Sequence, residues 1–333
     1  MEQRIVFLDR RAIRVPLRAP AFPQHWSEYP HTPPELIAAR LRGATIAITN
    51  RVPLDGATLD AAPTLRLIAV SATGYEHVDV AACHARGIAV CNVRDWSISV
   101  PEHVFALLLA LRRHLPAYGA AIAAGRWQAS PTYGFLLEPL PRALRGGTLG
   151  LIGHGALGRR VAALAAAFGM RVLIAERRGA DIVRPGRTPF PAVLAQSDAL
   201  VVLCPLTAET RHLLGAAELA LLRRDAILIN CARGGIVDEQ ALADALVAGK
   251  LGGAGVDVLS DEPPVTGNPL LELRLPNLIV TPHMAFASTE SLEALAEQLI
   301  GNLEAFAAGT PRNLVTAADG NAHKGPSGTN PAL

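Results

Sequence analysis

The sequence predicts an α/β protein of two domains, each a doubly wound parallel sheet, and three observations carry that expectation. At 333 residues the chain is longer than one compact core readily serves. Short β-branched apolar runs alternate with helical stretches, the pattern of strands buried on both faces of a parallel sheet. A glycine-rich turn falls at residues 153–158, after one complete α/β series, so a second series begins there.

In the first series, strands are expected at residues 5–8, 45–49, 67–71 and 88–91. Helices are expected over 34–41 and 78–86, the latter stopped by Gly87. Ser99-Val100-Pro101-Glu102 has the form of a capping box, with Ser99 as N-cap and Glu102 at N3. The run 104–111 behind it is apolar on nearly all sides, which demands burial between domains or against a sheet. The second series carries strands at 148–152, 172–175, 199–204, 226–230, 253–256 and 278–281. A last helix, 289–308, has Ser288 as its N-cap and one apolar stripe of Leu292, Leu295, Leu299, Leu303 and Phe306. Gly309 and Pro311 close it. The second sheet already has its helices, so this stripe is expected to return to the first domain. The expected division is therefore 1–98 with 287–316, and 99–286, while the small, polar stretch 317–333 is expected to be a disordered tail.

Lys plus Arg total 31 against 29 Asp plus Glu, and a net charge of +2 gives no footing for nucleic acid or an anionic membrane. The most apolar stretch, 104–111, is far shorter than the ~20 residues of a spanning helix. The chain opens on a strand-like run without a signal peptide, so a cytoplasmic location is expected. Cys83, Cys91, Cys204 and Cys231 show no CxxC spacing and no shared cluster with histidine. Buried, reduced thiols and no metal site are the expectation.

A GxGxxG string alone says little, but here a strand precedes it and an alanine-rich helix, 159–168, follows. Gly153 permits the tight turn, Gly155 lets a pyrophosphate approach the backbone, and Gly158, opening the helix, permits close packing on the strand. The helix N-terminus supplies unpaired N–H groups to the phosphates. Glu176 follows Gly158 by 18 residues, close to the ~20 at which an acid meets the ribose hydroxyls. An acid there favours NAD; Arg177 and Arg178, next in line, would suit the 2′-phosphate of NADP instead. His154 reads as an exposed loop residue.

Ligands of open parallel sheets bind beyond the carboxyl ends of the strands. The strand ending at Cys204 runs into Pro205, and the one ending at Asn230 into Cys231-Ala232-Arg233-Gly234-Gly235. The next ends at Asp257 with Glu262 close behind, and the last at Thr281-Pro282-His283. Singly, each has a bland reading: a surface arginine, a loop acid before two prolines, a histidine capping a helix. Together on three successive strand ends above a nucleotide turn, they are better explained as a site.

With these strings in place, the chain resembles the D-isomer-specific 2-hydroxyacid dehydrogenase family over residues 5–315. It is most similar there to the glycerate dehydrogenases (hydroxypyruvate reductases), through Ile48-Thr49-Asn50-Arg51-Val52-Pro53-Leu54, Cys91-Asn92-Val93-Arg94 and Leu173-Ile174-Ala175-Glu176-Arg177. The resemblance implies a discontinuous flavodoxin-like substrate domain and a Rossmann domain for NAD, with NADP open. It implies that Arg233 holds the substrate carboxylate and polarises its carbonyl, that His283 is the general acid/base, and that Glu262 supports the imidazolium. Backbone N–H groups at Thr73 and Gly74 would bind the carboxylate. Ala156, Leu157, Cys204, Pro205, Thr210, Cys231, Ala232 and Asp257 would contact the dinucleotide. The implied reaction reduces hydroxypyruvate or glyoxylate and oxidises D-glycerate in a homodimer, to which the 104–111 helix is a candidate contributor. D-lactate, formate or phosphoglycerate as substrate, and a non-enzymatic corepressor-like reader of NAD(H), are the alternatives. Pro101, where a small residue is usual, and Phe286, where tryptophan is usual, depart from the family and bear on substrate identity.

Overall fold

A computed structural model describes residues 2–316, so the expected tail at 317–333 lies outside the described residues. The chain divides into two compact units, residues 2–98 with 287–316, and Ser99–Phe286.

The first unit holds β1 (Gln3–Phe7), β2 (Gln24–Glu28), α1 (Ile37–Leu41), β3 (Ile46–Thr49), α2 (Gly56–Asp60), β4 (Leu67–Val70), α3 (Val80–Ala85) and β5 (Ala89–Cys91). Its strands are parallel in the order β2-β1-β3-β4-β5, the doubly wound order of flavodoxin-like sheets. β3 and β4 are buried at every position, which is why they read as unbroken apolar runs. β2 was not expected. Its Gln-His-Trp-Ser-Glu composition carries no apolar run, because as an edge strand it is only partly covered. The expected helix 34–41 splits into a 3-10 turn, Pro34–Leu36, and α1.

The second unit begins with α4 (Ser99–Arg112) and α5 (Leu115–Ala123). It continues through β6 (Thr148–Ile152), α6 (Ala156–Ala167), β7 (Arg171–Ile174), α7 (Phe190–Gln196), β8 (Ala199–Val202), α8 (Ala216–Leu219) and β9 (Ile227–Asn230). α9 (Glu239–Val247), β10 (Gly253–Val256), α10 (Pro269–Glu272) and β11 (Leu278–Val280) complete it. All six strands are parallel, in the order β11-β10-β9-β8-β6-β7. β8 shows why such strands lack alternation: Leu200 and Val202 enter one core, Ala199 and Val201 the other. The second core includes Val104, Phe105, Leu108 and Leu111 of α4 with Ile227 and Ile229 of β9. Ser99 is already helical rather than the N-cap, and its hydroxyl donates to the Ala285 carbonyl at 3.0 Å.

Finally α11 (Thr289–Ala307) returns to the first sheet and packs on β4. Leu295, Leu299 and Leu303 are buried, while Leu292 and Phe306 at the ends of the stripe are half-buried. Ser288 caps the helix, accepting the Ser291 N–H at 3.1 Å. On its outer face Arg18 grips Glu297 and Glu304.

Candidate active site

In the second sheet the strand order reverses at β6, which lies between β7 and β8. The glycine turn leaves β6 at this switch point, the usual position for a bound nucleotide. Gly153 has φ +99°, and an added Cβ would lie 2.6 Å from the Leu203–Cys204 backbone, so only glycine fits. At Gly158 a Cβ would lie 2.3 Å from the Gly153 carbonyl oxygen, whereas at Gly155 it would meet open space. The turn is thus closed where it packs and open where a phosphate would approach. α6 begins at Ala156, three residues before the expected start at 159, with Gly155 as an N-cap lacking any side-chain acceptor. The first N–H groups of the helix, at Ala156 and Leu157 among others, have no carbonyl partner within the helix and can serve an anion. These residues fit a dinucleotide pyrophosphate.

Glu176 stands just past β7 with its side chain 3% exposed. Its carboxyl is pulled down to about 2 by the Arg184 guanidinium first, and then by the Arg177 N–H. His154 in the glycine turn has a lowered proton affinity through burial, then through Arg187 and Arg159.

Arginine, carboxylate and histidine come from the ends of three neighbouring strands, β9, β10 and β11. His283 Nδ1 lies 2.6 Å from Glu262 Oε2, and Glu262 Oε1 accepts the Leu259 N–H at 2.9 Å. The carboxylate is therefore held from behind and directs the ring. Both side chains are 23% exposed, and the His283 and Phe286 rings meet edge to face with centroids 6.2 Å apart. Arg233 follows β9 in a turn braced by Asn230, which accepts the Ala232 N–H and donates to the Arg233 carbonyl, both at 3.1 Å. Arg233 Nη1 donates to the Ala232 carbonyl at 2.8 Å.

Asp257 shows a tie that the sequence did not reveal. The register Val256↔Val280 sets it beside Thr281, whose hydroxyl donates to Oδ1 at 2.5 Å. Met284 N–H donates to Oδ1 at 2.9 Å and Ala285 N–H to Oδ2 at 3.0 Å. The Asp257 carbonyl takes the His283 N–H at 2.7 Å. His103, from α4, lies 3.0 Å from the Thr281 hydroxyl. Bracing by His103 left no local sequence signal, because it comes from α4, 178 residues away, whereas Asn230 braces the turn that directly follows it.

Cys204 and Pro205 lie just beyond β8, and the Thr210 hydroxyl staples the following loop, donating to Pro205 O and accepting from Thr207 N, both at 2.7 Å. Cys231 is buried and Cys204 half-buried; burial pushes the Cys204 thiol up to about 11 and raises that of Cys231 as well. In the first unit, the Thr73 carbonyl accepts from Asn92 Nδ2 at 2.7 Å and its hydroxyl from Trp96 Nε1 at 2.9 Å, fixing the Thr73-Gly74 loop. Among the described residues no helix is long and apolar enough to cross a membrane.

A family model described as D-isomer specific 2-hydroxyacid dehydrogenase, NAD binding domain, matches residues 105–285. The glycerate dehydrogenase of Methylorubrum extorquens is 46% identical, over 95% of this chain and 100% of that one. The NADPH-dependent glyoxylate/hydroxypyruvate reductase of Sinorhizobium meliloti, solved with NADP and malonate, is 31% identical with a TM-score of 0.79, over 96% of this chain and 98% of that one. The D-lactate dehydrogenase of Aquifex aeolicus, complexed with NAD and lactic acid, is 30% identical with a TM-score of 0.76, over 86% and 90%.

Proposed function

The chain belongs to the D-isomer specific 2-hydroxyacid dehydrogenase family, as an NAD-dependent oxidoreductase, and from that premise we propose that it reduces hydroxypyruvate or glyoxylate to the D-2-hydroxy acid and oxidises D-glycerate in reverse. The observation that carries the chemistry is the Glu262–His283 pair at 2.6 Å, with Glu262 anchored on the Leu259 N–H. The near full-length similarity to a glycerate dehydrogenase supports the choice of substrate.

Bound along the glycine turn, the dinucleotide supplies or accepts the hydride. Arg233 holds the substrate carboxylate and polarises the carbonyl, a task for a permanently charged fork of donors. As the carbonyl carbon gains the hydride, His283 Nε2 gives its proton to the carbonyl oxygen, and the imidazolium becomes neutral imidazole. Glu262 orients the ring through Nδ1, so that Nε2 is the atom facing the carbonyl oxygen. The N–H groups of Thr73 and Gly74 take the carboxylate in the first unit, the substrate domain. Ala156, Leu157, Glu176, Cys204, Pro205, Thr210, Cys231, Ala232 and Asp257 line the dinucleotide's course over the second.

The test follows NADH absorbance with hydroxypyruvate, glyoxylate and pyruvate. Turnover is expected to be fastest with the first two, and His283→Ala is expected to lose about 10²–10⁴-fold in kcat, the usual worth of a general acid. Absence of turnover with every keto acid, or an undiminished His283→Ala, overturns the reading.

The protein is further read as a cytoplasmic homodimer. Within 104–111, Val104, Phe105, Leu107, Leu108 and Leu111 are buried in their own unit's core, which leaves Ala106, Leu109 and Ala110 as the part of that helix open to a contact. A run of exposed apolar side chains lies beyond it, at Leu115, Ile122, Trp127, Tyr133, Leu136 and Leu140.

A further inference from the structure

The acid at the end of β7 is already fully engaged. A carboxylate at this position selects the unphosphorylated ribose, by accepting its hydroxyls and repelling a 2′-phosphate. It has about four lone-pair sites with which to do so. Four protein donors take them. Oε1 accepts Arg177 N at 2.8 Å and Arg184 Nη2 at 2.5 Å; Oε2 accepts Arg184 N at 3.1 Å and Arg184 Nε at 2.8 Å. Arg184 therefore caps the acid with its backbone and a two-pronged guanidinium, and cancels its charge.

The cap exists because the connection after β7 is short. Glu176 N donates to Thr188 O at 2.9 Å, and Thr188 N to Ile174 O at 2.8 Å, so residues 177–187 loop straight back to the strand end. What remains around the capped acid is basic. Arg177 is exposed, and its side chain makes no hydrogen bond or ion pair among the described residues. Arg178 is held by Glu218 at 2.9 Å. Arg187 and Arg159 act electrostatically on His154 in the glycine turn. Of the acids nearby, Glu218 holds Arg178, whereas Glu209 accepts from the Thr207 hydroxyl at 2.6 Å, keeps its charge and interacts electrostatically with Arg177.

We propose that Arg184 is a cofactor-selectivity residue: by saturating Glu176 it lets the site accept NADP(H) alongside NAD(H), with Arg177 supplying the charge that meets the 2′-phosphate. This rests on the reading that the turn at residues 153–158 binds the dinucleotide. The pair thus reverses the selection that a free acid at this strand end would impose.

Equilibrium binding to the cofactor-free protein, without turnover, tests it. NADH and NADPH are titrated by their fluorescence, and 5′-AMP and 2′,5′-ADP by calorimetry. In the wild type the ratio of Kd for NADPH to Kd for NADH is expected to stay below about ten. Arg184→Ala frees the carboxylate and is expected to raise that ratio by about tenfold or more. Adding Glu176→Gln to Arg184→Ala removes the freed charge and is expected to bring the ratio back below about ten. Arg177→Ala is expected to weaken 2′,5′-ADP by about tenfold or more while 5′-AMP holds. A wild-type ratio above about ten, a smaller rise in Arg184→Ala, or a double variant that stays selective overturns the role of Arg184. Equal weakening of both mononucleotides in Arg177→Ala overturns the role of Arg177. Binding of neither dinucleotide by the wild type is a separate result, and strikes the dinucleotide reading itself.

Discussion

Asp257 binds the segment that carries His283 by four hydrogen bonds, three to its carboxylate and one to its carbonyl. His283 needs them, because it sits at φ +51°, a left-handed conformation that costs a residue with a Cβ about 1–2 kcal/mol. Asp257→Asn turns one accepting oxygen into a donor facing an N–H, so the segment loosens. The expected result is a fall in kcat of about tenfold or more with little change in KM for NADH; a rise in that KM at constant kcat would instead make Asp257 a cofactor contact alone. His77, in the first unit, gives a pH prediction. Burial, the largest influence, pushes its imidazole down to about 4, and Nε2 is buried without a hydrogen-bond partner among the described residues. The unfolded chain takes up this proton below pH ~6.5, whereas the folded protein refuses it until about pH 4. Stability is thus fully kept above pH ~6.5 and declines as pH falls towards 4. Urea unfolding of His77→Leu and the wild type should diverge over that window in the variant's favour, by at most about 3 kcal/mol, and run parallel above pH 7. A constant difference from pH 4 to 8 would contradict it.

Among the elements, strands buried on both faces announced themselves, because β4, β8 and β9 consist wholly of apolar residues apart from Asn230. β2 did not, since an edge strand with half-covered polar side chains carries no period that sequence can show. Strand ends were readable to within a residue or two, and that placed Arg233, Glu262 and His283 above adjacent strands. Neither Glu176's engagement by Arg184 nor Asp257's hold on the His283 segment had such a signal, because both depend on how a loop closes. The start of α6 was misplaced because three glycines read as one turn, although Gly155 alone provides the extended N-cap and Gly158 lies inside the first helical turn. Its lack of a side chain serves packing rather than termination. Gly158→Ala would drive a methyl to 2.3 Å from the Gly153 carbonyl oxygen, forcing the helix off the turn. Overpacking of this kind costs about 1–3 kcal/mol, to be read as a lower Tm together with weaker NADH binding. A cap substitution makes the contrast: Ser288→Ala should cost about 1 kcal/mol of stability with nucleotide binding intact.

At the scale of the whole molecule, assembly depends on which apolar surface the fold leaves uncovered. The sequence directed attention to residues 104–111, the most apolar run, but that run is apolar because it fills a core between α6 and the second sheet. Residues 115–140 look less apolar and expose far more: Tyr133 is 98% exposed and Trp127 53%. They are also locally ordered. Trp127 Nε1 donates to the Tyr133 carbonyl at 2.9 Å, the Leu137 N–H donates to the Tyr118 hydroxyl at 3.1 Å, and Arg126 lies over the Phe135 ring. An ordered segment with this much apolar side chain in water is the kind of patch that marks an interface, and a self-complementary twofold contact is its simplest use. Tyr133→Glu combined with Leu136→Glu places two like charges in such a contact, where each meets its own symmetry mate. Sedimentation of the wild type at micromolar concentration should give twice the chain mass, and the double variant should give the single-chain mass with an unchanged Tm for the NADH-bound form. Leu108→Ala should do the opposite, costing about 2–5 kcal/mol of stability while the protein that remains folded stays dimeric. A wild type that sediments as a monomer, or a charged variant that keeps the dimer mass, removes residues 115–140 from the interface.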